Sequence, residues 1–137
     1  SSGIEYGSVE QEREVTRILL CYCELLDTGQ VHRVAAEVYA ANAVADYNFE
    51  VLKGRDAIHE FLVVNMAHFS ETAHALTNVE VKSCDGERAV VRSMMTAWHW
   101  IEQSEDERAN APASFAQIVM CEDRLEFKPE GWRVTEH

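Results

Sequence analysis

Hydrophobic positions recur with a helical period in the first half of this chain and with a strand period in the second half. Between Val9 and Asp27 the apolar residues fall three or four positions apart, which predicts an amphipathic helix. Thr28 and Gly29 end it, because glycine accepts the left-handed backbone that commonly closes a helix. Asp27 is therefore expected at or near a helix C-terminus, where its carboxylate meets the negative end of the helix dipole. A carboxylate in that position usually lowers stability, and a hydrogen-bonded or functional role would offset the loss.

Two further helices are predicted before the period changes. A short one is indicated over residues 31–39, followed by an extended segment over residues 43–52 that ends at Gly54. Residues 55–72 then carry one apolar stripe, which is typical of a third helix with one side turned inward.

The second half of the chain reads as strands. Asp85 and Gly86 give a hairpin turn signal, and residues 104–112 are polar and indicate a loop. The strand patterns cover residues 74–84, 88–103, 114–127 and 132–137. Helices first and long antiparallel strands afterwards is the α+β pattern, and strands of this length must curve strongly to enclose a core. We expect a cone-shaped roll, with three N-terminal helices packed on a strongly curved, mainly antiparallel sheet.

Composition narrows the class of protein. With 137 residues and 47% hydrophobic content, the chain is long enough for one core and too short for two ordinary domains. We expect one domain over residues 1–137, with residues 1–8 as a tag or disordered tail. The formal net charge of -12 repels phosphate backbones and anionic lipid, which argues against nucleic acid or membrane partners. No secretory signal or apolar run of roughly 20 residues is visible. Cysteines without paired spacing suit a reducing setting, so a cytoplasmic location is expected.

Motifs for metals, phosphates and nucleophiles are not found in the sequence. The cysteines lack the C-x-x-C spacing of a zinc site or redox pair, and are predicted to be small buried or half-buried residues. They are Cys21, Cys23, Cys84 and Cys121. No glycine-rich phosphate loop and no metal-spaced group is present, so no metal and no cofactor are predicted. The absence of a G-x-S-x-G turn argues against covalent hydrolysis.

Four short pieces follow one another in a distinctive order. They are Leu26, Asp27 and Gly29; residues 54–58; His74, Thr77 and Asn78; and residues 131–134. Their order and spacing resemble the SnoaL-like family of the nuclear transport factor 2-like superfamily over nearly the whole chain. The pattern is most similar to scytalone dehydratase, hexachlorocyclohexane dehydrochlorinase and bile-acid dehydratase. The resemblance implies a cone that encloses one apolar pocket, and it matches the Asp and His dyad of those enzymes to Asp27 and His74.

The resemblance also implies assisting residues. Tyr22 corresponds to the tyrosine five residues before the aspartate in the bile-acid enzyme, and Tyr47 to a pocket tyrosine of scytalone dehydratase. Two positions depart from the pattern. A second pocket histidine falls at about Ser93, and the dehydrochlorinase arginine falls near His137, so the assisting residues differ.

The implied dyad has a defined chemistry. Asp27 would orient the imidazole, and His74 would remove a proton from carbon beside a carbonyl or leaving group. A phenol of Tyr22 or Tyr47 would polarise an oxygen or protonate the departing hydroxyl. The expected function is a cofactor-independent, dehydratase-type lyase that acts on a hydrophobic cyclic or polyketide-like small molecule. An isomerase, a cyclase, an epoxide hydrolase and a non-catalytic ligand-binding domain remain open as alternatives.

The direction of the His74 side chain depends on which face of its strand is the core. Strict alternation from Val79 and Val81 puts His74 on the opposite strand face, unless a bulge intervenes. Further predicted substrate contacts are Phe61, Ser93, Met95 and His99. An open curved sheet would also leave an aromatic outer face for a second copy to cover, so a homodimer or homotrimer is expected.

Overall fold

The computed structural model describes residues 8–102 and 114–137. Its helices are α1 (Val9–Asp27), α2 (Val34–Val38, preceded by a 3₁₀ turn over Val31–Arg33) and α3 (Arg55–Met66). Its strands are β1 (Tyr39–Asp46), β2 (Val51–Lys53), β3 (Glu71–Cys84), β4 (Arg88–Trp100), β5 (Ser114–Lys128) and β6 (Gly131–Glu136). The three helices pack on a curved, mainly antiparallel sheet, so the predicted α+β cone is confirmed.

The strand order places the end of the chain in the middle of the sheet. The order is β2-β1-β6-β5-β4-β3, and β1 pairs parallel with β6 while the other neighbours are antiparallel. Apolar side chains of the helices meet the inward positions of the strands in one core. Its members include Val15, Leu19, Ile58, Leu62, Val91, Leu125 and Val134. None of the helices in the described ranges is long and apolar enough to cross a membrane.

Both ends of α1 are closed by local hydrogen bonds. The Ser8 side chain accepts from the backbone N–H of Gln11, and the Gln11 side chain accepts from the Ser8 N–H, which is a capping box. Ser8 therefore belongs to the helix rather than to the predicted tail; residues 1–7 lie outside the described part. At the other end Gly29 has a φ of +72°, and the N–H of Gln30 donates to the carbonyl of Leu25.

The third helix is shorter than predicted. It ends at Met66 instead of continuing to residue 72. The N–H of Ser70 donates to the carbonyl of Trp100, and from Glu71 onward the chain pairs with β4. Pairing between strands thus determines the conformation of these residues, although their apolar spacing also suits a helix. The predicted extended segment is likewise a tight hairpin of β1 and β2, whereas the predicted loop over residues 104–112 lies outside the described residues.

A bulge in β3 decides which side chains face the interior. Thr77 pairs with Met94 but Glu80 pairs with Arg92, so β3 carries one extra residue between these pairs. Asn78 lies in this stretch with a φ of +51°. The extra residue reverses the alternation, and the side chain of His74 turns inward, being only 6% exposed.

Candidate active site

An apolar cavity of about 600 Å³, partly open to solvent, lies at the end of the cone where α1 ends. Its apolar wall includes Phe49, Phe61, Leu62, Phe69, Phe115 and Val119. Its polar side chains include Tyr22, Tyr47, Asn65, His74, His99 and His137. A larger groove of about 930 Å³ around the β3–β4 turn is lined mostly by polar and charged side chains and contains none of the predicted site residues.

Asp27 and His74 meet at the wall of this cavity. His74 Nδ1 lies 2.6 Å from Asp27 Oδ1, and the backbone N–H of His74 donates to Asp27 Oδ2 at 2.7 Å. The hydroxyl of Thr72 donates to Asp27 Oδ1 at 3.0 Å. These bonds compensate for a carboxylate at the negative end of α1. They also occupy Nδ1 of His74, which leaves Nε2 as the ring nitrogen available to a ligand.

Three tyrosine hydroxyls form a chain beside this pair. Tyr47 Oη lies 3.3 Å from Tyr22 Oη and 3.1 Å from Tyr39 Oη. Burial raises the pKa of all three phenols, so the hydroxyls keep their protons at neutral pH. The ring of Tyr22 meets His74 edge-on at 6.2 Å between centroids. The phenols can therefore donate hydrogen bonds to a ligand but cannot act as bases.

His99 lines the cavity among aromatic rings. It is stacked on Phe115 at 4.7 Å, lies 4.4 Å from Phe69, and its centroid is 6.0 Å from that of His74. Burial, and then the neighbouring His74, lower the pKa of His99, so its ring is neutral. Its buried Nδ1 has no hydrogen-bond partner among the described residues. A ligand with a polar group could satisfy that nitrogen.

The other predicted substrate contacts are divided. Phe61 lines the cavity and packs on Tyr47 at 4.9 Å. Met95 lines a much smaller interior space of about 10 Å³ beneath the tyrosines instead. Ser93 is buried in β4, at neither wall, and its Oγ has no partner in the described part of the chain. Ser93 and Met95 thus support the cavity from behind rather than line it.

A second Asp and His pair, whose histidine lines the same cavity, was not predicted. His137 Nδ1 lies 2.6 Å from Asp123 Oδ1, and the two side chains are 16% and 4% exposed. Asp123 occupies an inward position of β5 between the buried Cys121 and Leu125. That alternation of apolar, charged and apolar inward residues is the sequence signal for a buried carboxylate. Tyr39, whose hydroxyl contacts Tyr47, was likewise missed as a site residue, because the sequence pattern assigned it only to a helix.

The cysteine at the cavity wall is not activated. Burial, and then the charge of Asp123, raise the pKa of Cys121 to about 11. Burial, and then Asp27, raise the pKa of Cys23 to about 12. Both thiols are protonated at neutral pH and are poor nucleophiles. Within residues 8–102 and 114–137 no cluster of three or more His, Cys, Asp or Glu is arranged to hold a metal ion.

The curved sheet, its covering helices and the partly open cavity define a small-molecule-binding or catalytic domain built on the nuclear transport factor 2-like cone. The family model of the SnoaL-like domain matches residues 7–137, and the chain belongs to this family. The predicted membership in the SnoaL-like family is therefore confirmed. No protein of curated function matches the sequence significantly.

Solved structures share this fold at low sequence identity. A Kribbella flavida protein superposes with a TM-score of 0.82 at 17% identity, covering 93% of this chain and 87% of that one. A candidate scytalone dehydratase of Novosphingobium aromaticivorans gives 0.81 at 20% identity, covering 93% and 81%. A candidate dehydratase of the NTF2-like family from Streptomyces avermitilis gives 0.79 at 18% identity, covering 93% of each chain. At these identities the likeness shows the fold alone.

Proposed function

We propose that the protein is a cofactor-independent lyase that removes water from a hydrophobic cyclic or polyketide-like small molecule. The observation that carries this proposal is the 2.6 Å contact between His74 Nδ1 and Asp27 Oδ1 at the wall of an apolar cavity. Aspartate fixes the tautomer of the ring and stabilises the cation that forms when the ring takes a proton. His74 is the general base and Asp27 its orienting partner.

The reaction begins at the carbon beside a carbonyl. His74 Nε2 takes the proton from that carbon, while a hydroxyl of Tyr47 or Tyr22 donates a hydrogen bond to the carbonyl oxygen, where negative charge develops. Loss of the β-hydroxyl then gives a conjugated double bond. The dehydratase names of two structural neighbours favour elimination among the reactions that start with such a proton transfer.

The walls of the cavity favour a flat, apolar substrate. The cavity that His74 lines is walled by aromatic rings, which are those of Phe61, Phe69, Phe115 and His99. Aromatic walls bind cyclic compounds by stacking and by release of water, and they fix a ligand against the base. The cavity volume of about 600 Å³ falls within the range of sites for small organic ligands.

We expect His74→Ala and Asp27→Asn to lower kcat by roughly 10²- to 10⁴-fold, because a placed general base contributes that much. The assay follows enone absorbance on a panel of cyclic β-hydroxy ketones. Exchange of the α-protons of a cyclic ketone in D₂O, followed by NMR, measures the base step even where no group can leave.

His32→Ala and Glu24→Gln are matched controls, since both side chains are exposed and neither lines the cavity. These controls should keep full activity. A wild-type protein that binds panel ketones with neither exchange nor elimination would favour the ligand-binding alternative, and activity that survives in both site variants would remove the base assignment.

The outer face of the sheet supports a further part of the proposal, a homodimer or homotrimer. Met94 and Met120 are paired on adjacent strands, and Trp98 lies on the same face of β4. Trp98 is 40% and Met120 is 65% exposed. Neighbouring exposed apolar side chains of this size are typical of a surface covered by another chain.

A further inference from the structure

His137 is the second imidazole that a carboxylate fixes at the cavity wall. Its backbone is held in the sheet, since its N–H donates to the carbonyl of Val44 and its carbonyl accepts from Asp46. Its Nδ1 is held by Asp123 from the neighbouring strand β5. The remaining nitrogen, Nε2, has no hydrogen-bond partner among the described residues, on a side chain that lines the cavity. The residue thus presents one free ring nitrogen to a ligand.

The surroundings of His137 favour its charged form. Burial by itself lowers its pKa, but the hydrogen bond and charge of Asp123, together with Asp46, outweigh burial and raise the pKa above the ordinary 6.5. The titratable groups around it are Asp123 and Cys121 on β5, Asp46 and Tyr39 on β1, Tyr47 beyond β1, and Tyr22 on α1. None of these groups is a cation. His74 on β3, which also neighbours Tyr22, opposes the charge only after it has taken a proton.

The two imidazoles have one tyrosine in common. The ring of Tyr22 lies 6.2 Å from His74 and 6.4 Å from His137 between centroids, so both histidines are within reach of one bound molecule. The other groups at the wall are poor acids or carry no proton to give. His99 is neutral, and the thiol of Cys121 and the phenols have raised pKa values. The raised pKa of His137 and the lowered pKa of His99 make His137 the better proton donor of these two imidazoles.

We propose that His137 is the general acid of the site, which protonates a departing hydroxyl while His74 takes the proton from carbon. This inference rests on the proposed lyase function and deepens it, because it assigns the substrate to β-hydroxy carbonyl compounds. Hydroxide is a poor leaving group that needs a proton, whereas a halide leaves without one. A carboxylate-held imidazolium would be of little use to a dehalogenating site.

The step balances without any co-reactant. His74 Nε2 takes the proton, the electrons of that C–H bond form the carbon–carbon double bond, and the C–O bond breaks with its electron pair on oxygen. His137 Nε2 gives its proton to that oxygen, and water departs. His74 then returns one proton to solvent and His137 takes one from it, so the net products are the conjugated carbonyl compound and water.

The test compares two leaving groups in the same ring. 3-Hydroxycyclohexanone and 3-chlorocyclohexanone both give cyclohexenone, whose absorbance is followed, and larger ring pairs from the panel are used where these bind weakly. We expect His137→Gln to lower kcat on the hydroxy substrate by roughly 10²- to 10⁴-fold and to leave the chloro substrate little changed. Glutamine keeps a hydrogen-bond donor for the buried Asp123, but its amide cannot protonate a leaving group.

A second variant tests the same idea through pH. The acid works while protonated, so turnover of the hydroxy substrate should fall as pH rises through the raised pKa of His137. Asp123→Asn removes the charge that raises this pKa, and the alkaline fall should move to lower pH. If His137 had a purely structural role, its loss would lower the turnover of both substrates together. The pH at which turnover falls would then be the same in Asp123→Asn as in the wild type. His32→Gln, at an exposed histidine, is the matched control.

The outcomes separate this inference from the proposed function. Wild-type protein without α-proton exchange and without elimination overturns both. Wild-type activity combined with equal losses on the two substrates in His137→Gln overturns the general acid alone, as does an unmoved alkaline fall in Asp123→Asn. Loss confined to the hydroxy substrate, with retained α-proton exchange, supports it.

Discussion

At the scale of single residues, the site is organised by buried polar groups that satisfy one another. Tyr39 is only 1% exposed, and its hydroxyl depends on Tyr47 for a partner. Tyr47 in turn has Tyr22 as its second contact. A buried hydroxyl without a partner costs more than the bond itself contributes, because the group has lost its water. The tyrosine chain should therefore influence stability as well as chemistry.

We expect Tyr47→Phe to lower the free energy of unfolding by about 1–3 kcal/mol, because it leaves the buried hydroxyl of Tyr39 unpaired. The double variant Tyr39→Phe with Tyr47→Phe should cost less than the sum of the single variants, because both ends of the bond are removed together. Urea denaturation measures all three. Strictly additive losses would show that the two hydroxyls do not depend on each other.

The sequence identified part of this site and missed part of it. Asp27 and His74 were named because they fall in a recognisable order of short pieces, and the structure brings them into contact. Asp123 and His137 escaped because their meeting depends on the register of β5 with β6, which pairs Arg124 with Glu136. Register is set by the whole sheet, and no local spacing reveals it.

At the scale of elements, the bulge in β3 is what turns His74 toward the cavity. The helices and the long strands were predictable from period alone, since each has a sustained apolar pattern. The bulge was foreseen only as an open alternative. Asparagine tolerates positive φ better than most residues, but it does so equally well in many turns. The end of α3 was missed for a related reason, because pairing with β4 overrides the local pattern.

We expect Asn78→Val to destabilise the protein by about 1–3 kcal/mol, because a β-branched residue is strained at a φ of +51°. Asn78→Gly is the matched control, since it also removes the contact of the amide with Met94 Sδ but accepts the backbone conformation. Thermal and urea unfolding compare the two variants. Equal stability of the valine and glycine variants would show that the bulge does not restrict which residue fits at position 78.

At the scale of the whole molecule, the sheet has two unlike faces. One face is sealed by the helices, and the other bears apolar side chains next to one another on β4 and β5. Neighbouring exposed apolar side chains on a strongly acidic chain are an unusual combination for a monomer. Assembly of identical copies through this face would remove it from water.

We expect Met120→Lys and Trp98→Lys to lower the molar mass in solution from that of a homodimer or homotrimer to that of the single chain, since a desolvated lysine opposes association. Size-exclusion chromatography with light scattering measures this mass. Leu20→Lys is the control, because Leu20 is 48% exposed but lies on α1. A wild-type monomer, or an unchanged mass in both sheet variants, would contradict assembly through this face.

The hydrogen bonds of Asp27 also tie the start of the chain to its middle. They join the last turn of α1 to Thr72 and His74, which lie 45 and 47 positions further along the chain. During synthesis the first helix can form early, yet its carboxylate has no imidazole to orient until β3 has emerged and docked. In the proposed mechanism, an unfinished or partly opened chain therefore lacks the oriented base and would not turn over substrate.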